Sequence, residues 1–178
     1  MFKTIVAATD GSDHADKAVA VAGDLAAKYD AEITLLHVRL RRNTEAADLR
    51  RLIDVQKLPD NLREEFERIE TLQAARDLGT AGVAVSVSIP FSPEIIIGVG
   101  NAITEKAEAI AKEHGVSRID SVIAGGDAAD VILNCAKDRN ADLIVMGTRG
   151  LSDLKGLFVG SVSHKVSHLA DCSCIMVR

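Results

Sequence analysis

Residues 142–164, DLIVMGTRGLSDLKGLFVGSVSH, decide how this chain reads. Leu143, Ile144, Val145 and Met146 form an apolar run flanked by Asp142 and Gly147, the pattern of a strand buried on both faces. Glycines follow at 147, 150, 156 and 160. After Ser161, Val162, Val166 and Leu169 recur at helical spacing. Strand, glycine loop and helix start thus succeed one another. Glycine lets a backbone approach a ligand closely and take positive φ without penalty. The helix start offers N–H groups at the positive end of its dipole. The combination predicts a phosphate cradle.

Upstream, the same grammar repeats. Residues 3–9, KTIVAAT, read as a strand, Asp10-Gly11-Ser12 as a turn, and Ser12 as a helix N-cap. Ala15, Ala18, Val19, Ala22, Leu25 and Ala26 mark one face of a helix over 13–29, and residues 32–38, EITLLHV, a second strand. Strand, helix and strand make a βαβ unit with a right-handed crossover. Residues 39–100 break the rhythm. Residues 44–58 carry Leu49, Leu52, Ile53 and Gln56 on one helical face. Residues 60–78 carry Leu62, Phe66, Ile69 and Leu72 on another, with Asp60 as a possible cap. Val83–Ile89 alternates like a strand, Pro90 and Pro93 interrupt, and Ile95–Ile97 is apolar without a clear period. The rhythm then resumes with a helix through Ala102, Ile103, Ala107, Ile110 and Ala111, ending near His114-Gly115. A strand follows at 119–124, then a helix at Val131, Ile132, Cys135 and Ala136. The 142–146 strand, the 161–170 helix and a last strand at 174–177 complete the chain. Five strands alternating with four helices predict a parallel sheet covered on both faces.

The composition sets bounds. At 178 residues the chain is one domain, or one domain with an elaboration. Hydrophobic residues make up 47% but aromatics only 3%, so the core must be aliphatic. A net charge of −5 supplies no general attraction to nucleic acid or an anionic membrane. No apolar run approaches the about 20 residues that span a bilayer. The N-terminus turns polar too quickly for a signal peptide, and three cysteines suggest no disulfide framework. The expectation is a soluble cytoplasmic protein.

In an open α/β sheet, ligands sit beyond the carboxyl ends of strands where the strand order reverses. Asp10 and Gly147 both end strands. If those strands are neighbours, the carboxylate and the glycine loop share one crevice, the carboxylate suiting ribose hydroxyls or an amine and the loop suiting phosphates. The plainer alternative is that the glycines only make turns and Asp10 only caps a helix. Neither a P-loop nor a dinucleotide G-x-G-x-x-G is present. Asp127 reads as a cap and Cys135 as core, while His37, inside a strand, reads as a hydrogen-bonded interior residue rather than a base. His164 and His168 share a helix face, and Cys172 and Cys174 one side of a strand. Zinc uses such ligands, but free cysteines also pack as small hydrophobes. There is no nucleophile elbow, no Ser/His/Asp set and no paired carboxylates beside the loop, so no catalytic residues are assigned.

With these residues in view the sequence resembles the universal stress protein family. The family's G-2x-G-9x-G-[ST] signature appears as Gly147, Gly150, Gly160 and Ser161. Thr9-Asp10-Gly11-Ser12, LLHV at 35–38, GDAADVI at 126–132 and ADLIVMGTRG at 141–150 resemble further family segments. The resemblance implies an α/β sandwich with a five-stranded parallel sheet in the order 3-2-1-4-5 as one domain over 1–178, to which the two charged amphipathic stretches add a helical insertion at about 41–99. It implies binding of ATP, or AMP or ADP, with Mg2+ at the phosphates. The Val38 backbone would meet adenine. Asp10 and Gly147 would meet the nucleoside, and Gly150, Gly160, Ser161 and Val162 the phosphates, with Thr9, Met146, Arg149 and Ser163 lining the pocket. It further implies a homodimer formed through the last strand and a regulatory role in stress, exercised on a protein partner not readable here. The alternatives are a slow ATPase or autophosphorylating enzyme and an interaction module with a structural nucleotide. The sequence departs from the family pattern in its long 41–99 link, in His164 and His168 where Glu and Arg are frequent, and in Ser173 where Pro is frequent before the last strand.

Overall fold

The computed structural model describes residues 1–39, 60–79, 92–150 and 160–178. Five parallel strands form one sheet: β1 (Thr4–Thr9), β2 (Glu32–Val38), β3 (Ile119–Ala124), β4 (Leu143–Gly147) and β5 (Ser173–Val177), in the order β3-β2-β1-β4-β5. The described helices are α1 (Asp13–Tyr29), α2 (Asp60–Gly79), α3 (Pro93–Glu113), α4 (Ala128–Asp138) and α5 (Ser161–Leu169). The strand order matches expectation, and so does the βαβ rhythm. None of the helices among the described residues is long and apolar enough to cross a membrane.

The alternation of side chains along a strand builds the three layers. On one face Ile5, Ala7, Ile33, Leu35, Leu143 and Val145 pack against Ala18, Val19, Ala22 and Ala26 of α1 and Ala107 and Ala111 of α3. On the other, Val6, Ala8, Leu36, Ile144 and Met146 pack against Ala129, Ile132 and Ala136 of α4 and Val166 of α5. Alanine-rich helix faces let the helices sit close to the sheet, so the branched residues of the strands supply most of the buried apolar surface. A fully buried Ile or Leu contributes about 1.5–3 kcal/mol.

Helix caps fall where the side-chain chemistry allows. The Ser12 hydroxyl accepts from the Ala15 N–H at 3.3 Å and the Asp127 carboxylate from the Asp130 N–H at 3.2 Å, as expected. The 92–100 stretch, ambiguous in the sequence, is the first part of α3. Ser92 caps it, accepting from the Ile95 N–H at 3.3 Å, and Pro93 occupies the first turn, where its missing N–H costs nothing. The helical reading of 60–78 is matched by α2, which lies against α3 with Phe66 and Ile69 buried. Leu72 departs from it and is 52% exposed. The helix at 44–58 and the strand at 83–89 fall outside the described residues. Cys135 and Cys174, expected in the core, are only half-buried: both pack against the core's rim, Cys174 on the edge strand β5.

Candidate functional site

The strand order places β1 beside both β2 and β4, so the chain reverses its direction of strand addition at the β1–β4 gap. Ala8 lies opposite Met146 in the parallel register, and both strands release their loops at the same end. Asp10 and Gly147 therefore leave the sheet side by side, as the sequence argument required.

The turn after β1 is held from within. The Gly11 N–H donates to Thr9 Oγ1 at 3.2 Å, and the Ser12 N–H to Asp10 Oδ1 at 3.1 Å. That second bond orients the Asp10 carboxylate and leaves Oδ2 directed toward the glycine loop. The opposed residue is Gly150, where an added Cβ would overlap Asp10 Oδ2. Only a residue without a side chain lets the two loops approach this closely.

Beneath the turn, His37 is 2% exposed, and its Nδ1–H donates to the Thr9 carbonyl at 3.0 Å. Burial pushes its pKa below the ordinary imidazole value. The bond to Thr9 and the charge of Asp10 oppose that shift. The sequence reading of His37 as a hydrogen-bonded interior residue is matched. Its ring also packs on α3, where a Cβ at Gly100 would lie 3.4 Å from His37 Cδ2.

On the β4 side, Thr148 joins several elements. Its N–H donates to the Val177 carbonyl at 2.8 Å. Its carbonyl accepts from the Gly160 N–H at 2.8 Å and from Ser163 Oγ at 2.9 Å. Gly160 is the N-cap of α5 and makes no side-chain cap bond, so no side chain among the described residues covers the first turn of the helix in that way. Ser163, expected to line the pocket, is buried and spends its hydroxyl on the Thr148 and Gly160 carbonyls. Ser161 is exposed and Val162 half-buried at the helix start. Thr9 and Met146 are buried at 5% and 7%, while Val38, Arg149, Gly150 and Gly160 are half-buried. Thus Asp10, Gly147, Arg149, Gly150, Gly160 and the α5 start lie close together beyond the β1–β4 pair, and Val38 ends the next strand over. Residues 151–159 lie outside the described residues.

Two residues of this region were not singled out from the sequence, His14 and Thr148. Thr148 lies inside the glycine signature, and His14 two residues past the helix cap. Nothing local marks either, because the bond between them spans 134 positions.

The other constellation stays apart. The His164 and His168 rings meet edge to face at 5.0 Å on the exposed side of α5. Cys172 and Cys174 are half-buried, with burial raising both thiol pKa values. Among the described residues no three or more His, Cys, Asp or Glu side chains converge to hold a metal ion.

A model of the universal stress protein family matches residues 1–178. The chain is 33% identical over 179 residues to the universal stress protein YxiE of Bacillus subtilis, covering 100% of each. Among solved structures it is similar to a universal stress protein in complex with cAMP, at TM-score 0.62 and 24% identity, covering 99% of this chain and 97% of that one. It is also similar to the universal stress protein from Archaeoglobus fulgidus in complex with dAMP, at TM-score 0.59 and 17% identity, covering 100% and 98%.

Proposed function

Since this chain belongs to the universal stress protein family, we propose that its β1–β4 crevice binds an adenine nucleotide, ATP or its di- or monophosphate, with Mg2+ at the phosphates. The observation that carries the reading is the meeting of the Asp10 carboxylate with the side-chain-free Gly150 at the point where strand order reverses. A carboxylate there accepts from ribose hydroxyls, and the glycine loop and α5 start donate N–H groups to phosphate oxygens. The structural relatives in complex with cAMP and dAMP support the choice of an adenine nucleotide. In this reading the Val38 backbone meets adenine, Asp10 and Gly147 the nucleoside, and Gly150, Gly160, Ser161 and Val162 the phosphates. Thr9, Met146, Arg149 and Ser163 complete the walls.

The role is that of a cytoplasmic, nucleotide-dependent regulator of a stress response, and binding rather than turnover is its chemistry. Phosphoryl transfer needs a positioned base or water together with charge neutralisation, and Asp10 and Arg149 do not make that set. Residues 41–99 act as an elaboration of one domain, in which α2 is seated on α3. The assembly is a homodimer through β5. That strand ends the sheet, and Cys174 to Val177 are half-exposed, which leaves an edge suited to antiparallel pairing about a two-fold axis. A monomer mass by light scattering at high concentration overturns the dimer.

Titration calorimetry with ATP and Mg2+ tests the site. Gly160→Val directs a branched side chain at the Thr148 carbonyl, which would lie 3.3 Å from the new Cβ, and at the Ser163 hydroxyl, at 3.5 Å. The expected result is about a tenfold or greater loss of affinity. Equal ATP affinity in the two proteins would remove the cradle assignment.

A further inference from the structure

We propose that His14 and Thr148 form a latch that sets the width of the crevice, and that the nucleotide affinity of this chain depends on the hydrogen bond between them. The inference rests on the nucleotide reading above and adds two positioning residues to it.

The crevice has two walls that belong to distant parts of the chain. One is the Asp10–Ser12 turn leading into α1. The other is the glycine loop leading from β4 into α5. His14 stands on the first turn of α1, just past the Ser12 cap. Its Nδ1 and the Thr148 hydroxyl share a hydrogen bond of 3.2 Å, the donor being set by the imidazole tautomer. Thr148 is 7% exposed and His14 is half-buried, so this bond is partly shielded from water.

Thr148 is well placed to transmit that contact. Its side chain reaches α1 on one face of the sheet. Its carbonyl, on the same residue, holds the Gly160 N–H and the Ser163 hydroxyl at the start of α5 on the other. Its N–H is tied to β5 through the Val177 carbonyl. One residue thus connects the first turn of α1, the last strand and the helix start that faces the phosphates.

The packing beside the bond is as close. A Cβ at Gly147 would lie 3.0 Å from His14 Cβ, 3.1 Å from the His14 backbone carbon and 2.9 Å from the Arg149 carbonyl. The start of α1 therefore rests directly on the β4 terminus, and Gly147 is needed for that seating. The same approach brings Asp10 against Gly150. The His14–Thr148 bond therefore ties the start of α1 to the residue that follows β4, and gives the two walls a common reference.

Calorimetric ATP binding and thermal melting of four variants test the latch. Thr148→Val keeps the volume and removes the hydroxyl. His14→Leu keeps an apolar side chain on Gly147 and removes the nitrogen. Each is expected to weaken ATP about five- to tenfold, the share of one hydrogen bond. The double variant is expected to be no weaker than either single one, the mark of two groups acting through one contact. His14→Asn, whose amide places a polar atom where Nδ1 stands, is expected to restore binding to within about threefold of wild type. A merely structural role would move the melting temperature and affinity together and would show no rescue. Wild-type affinity in either single variant, or additive losses in the double, overturns the latch while leaving the nucleotide reading in place. Failure of the wild-type chain to bind ATP overturns both.

Discussion

The two ends of the β1–β4 strand pair carry one aspartate each, put to opposite uses. At the amino end the Asp142 carboxylate accepts from the Lys3 N–H at 2.7 Å and the Thr4 N–H at 3.1 Å, stitching the start of β1 to the start of β4. Both of its known bonds go to backbone groups that the sheet itself leaves over. At the carboxyl end Asp10 uses one oxygen to fix its own turn and turns the other toward a glycine. The neighbours differ in the same way. Asp142 sits at a plain strand start, whereas Asp10 is followed by Gly11, faces Gly150 and lies near a buried histidine. A carboxylate that closes a backbone ladder adds stability. One that is held by its own turn against a glycine is, in the reading proposed above, the group that meets the nucleotide.

The largest effect expected on this contrast comes from filling the gap. Gly150→Val drives a branched side chain into the Asp10 carboxylate. Overpacking of that kind costs about 1–3 kcal/mol before any ligand is lost, so ATP affinity should fall about a hundredfold. Near-normal binding by calorimetry would show that Gly150 is a turn residue and no more.

Next comes an exchange of roles. Asp10→Ala should weaken ATP about tenfold, the share of a hydrogen bond to a charged group, with little change in melting temperature. Asp142→Ala should lower the melting temperature and leave ATP affinity unchanged. If both variants moved the same observable, the division between the two ends would collapse.

The smallest effect is a matter of pH, and the two ends should respond in separate windows. The Lys3 and Thr4 N–H groups, in that order, hold the Asp142 carboxyl below its ordinary value of 3.8. Its contribution to stability is complete above that value and disappears as pH falls through the depressed folded one. Burial holds His37 below its ordinary 6.5. The unfolded chain then takes up the proton first, so stability is full above 6.5 and declines as pH drops from there toward the folded pKa. Melting curves from pH 7 to 5 should therefore fall more steeply for wild type than for His37→Gln, which can still donate to the Thr9 carbonyl but does not titrate. Parallel curves would mean that His37 takes no part in the acid sensitivity.

Much of this molecule is decided within short windows of sequence. The continuous apolar run at 143–146 reads as a strand buried on both faces, and EITLLHV at 32–38 as a second strand. The 3.6-residue spacing of alanines in α1 could only be a helix lying on them. Ser12 and Asp127 announce caps because their side chains reach N–H groups three residues away. The glycine signature marks the loop, and the resemblance to the universal stress protein family implies the strand order, present in the structure, that brings Asp10 and Gly147 together. Pro93 misled where it reads as an interruption, since proline in the first turn of a helix is harmless while the same residue further in would break it. Leu72, on the apolar stripe of α2, is exposed, since a stripe records only a helix's capacity to be covered and burial depends on what lies opposite. The His14–Thr148 bond, the inward turn of the Ser163 hydroxyl and the approach of Gly150 to Asp10 belong to the tertiary structure alone. Each joins residues that strand adjacency and helix packing bring together across the chain. A hydrogen bond of about 3 Å depends on how whole elements settle against one another, and no local periodicity records that.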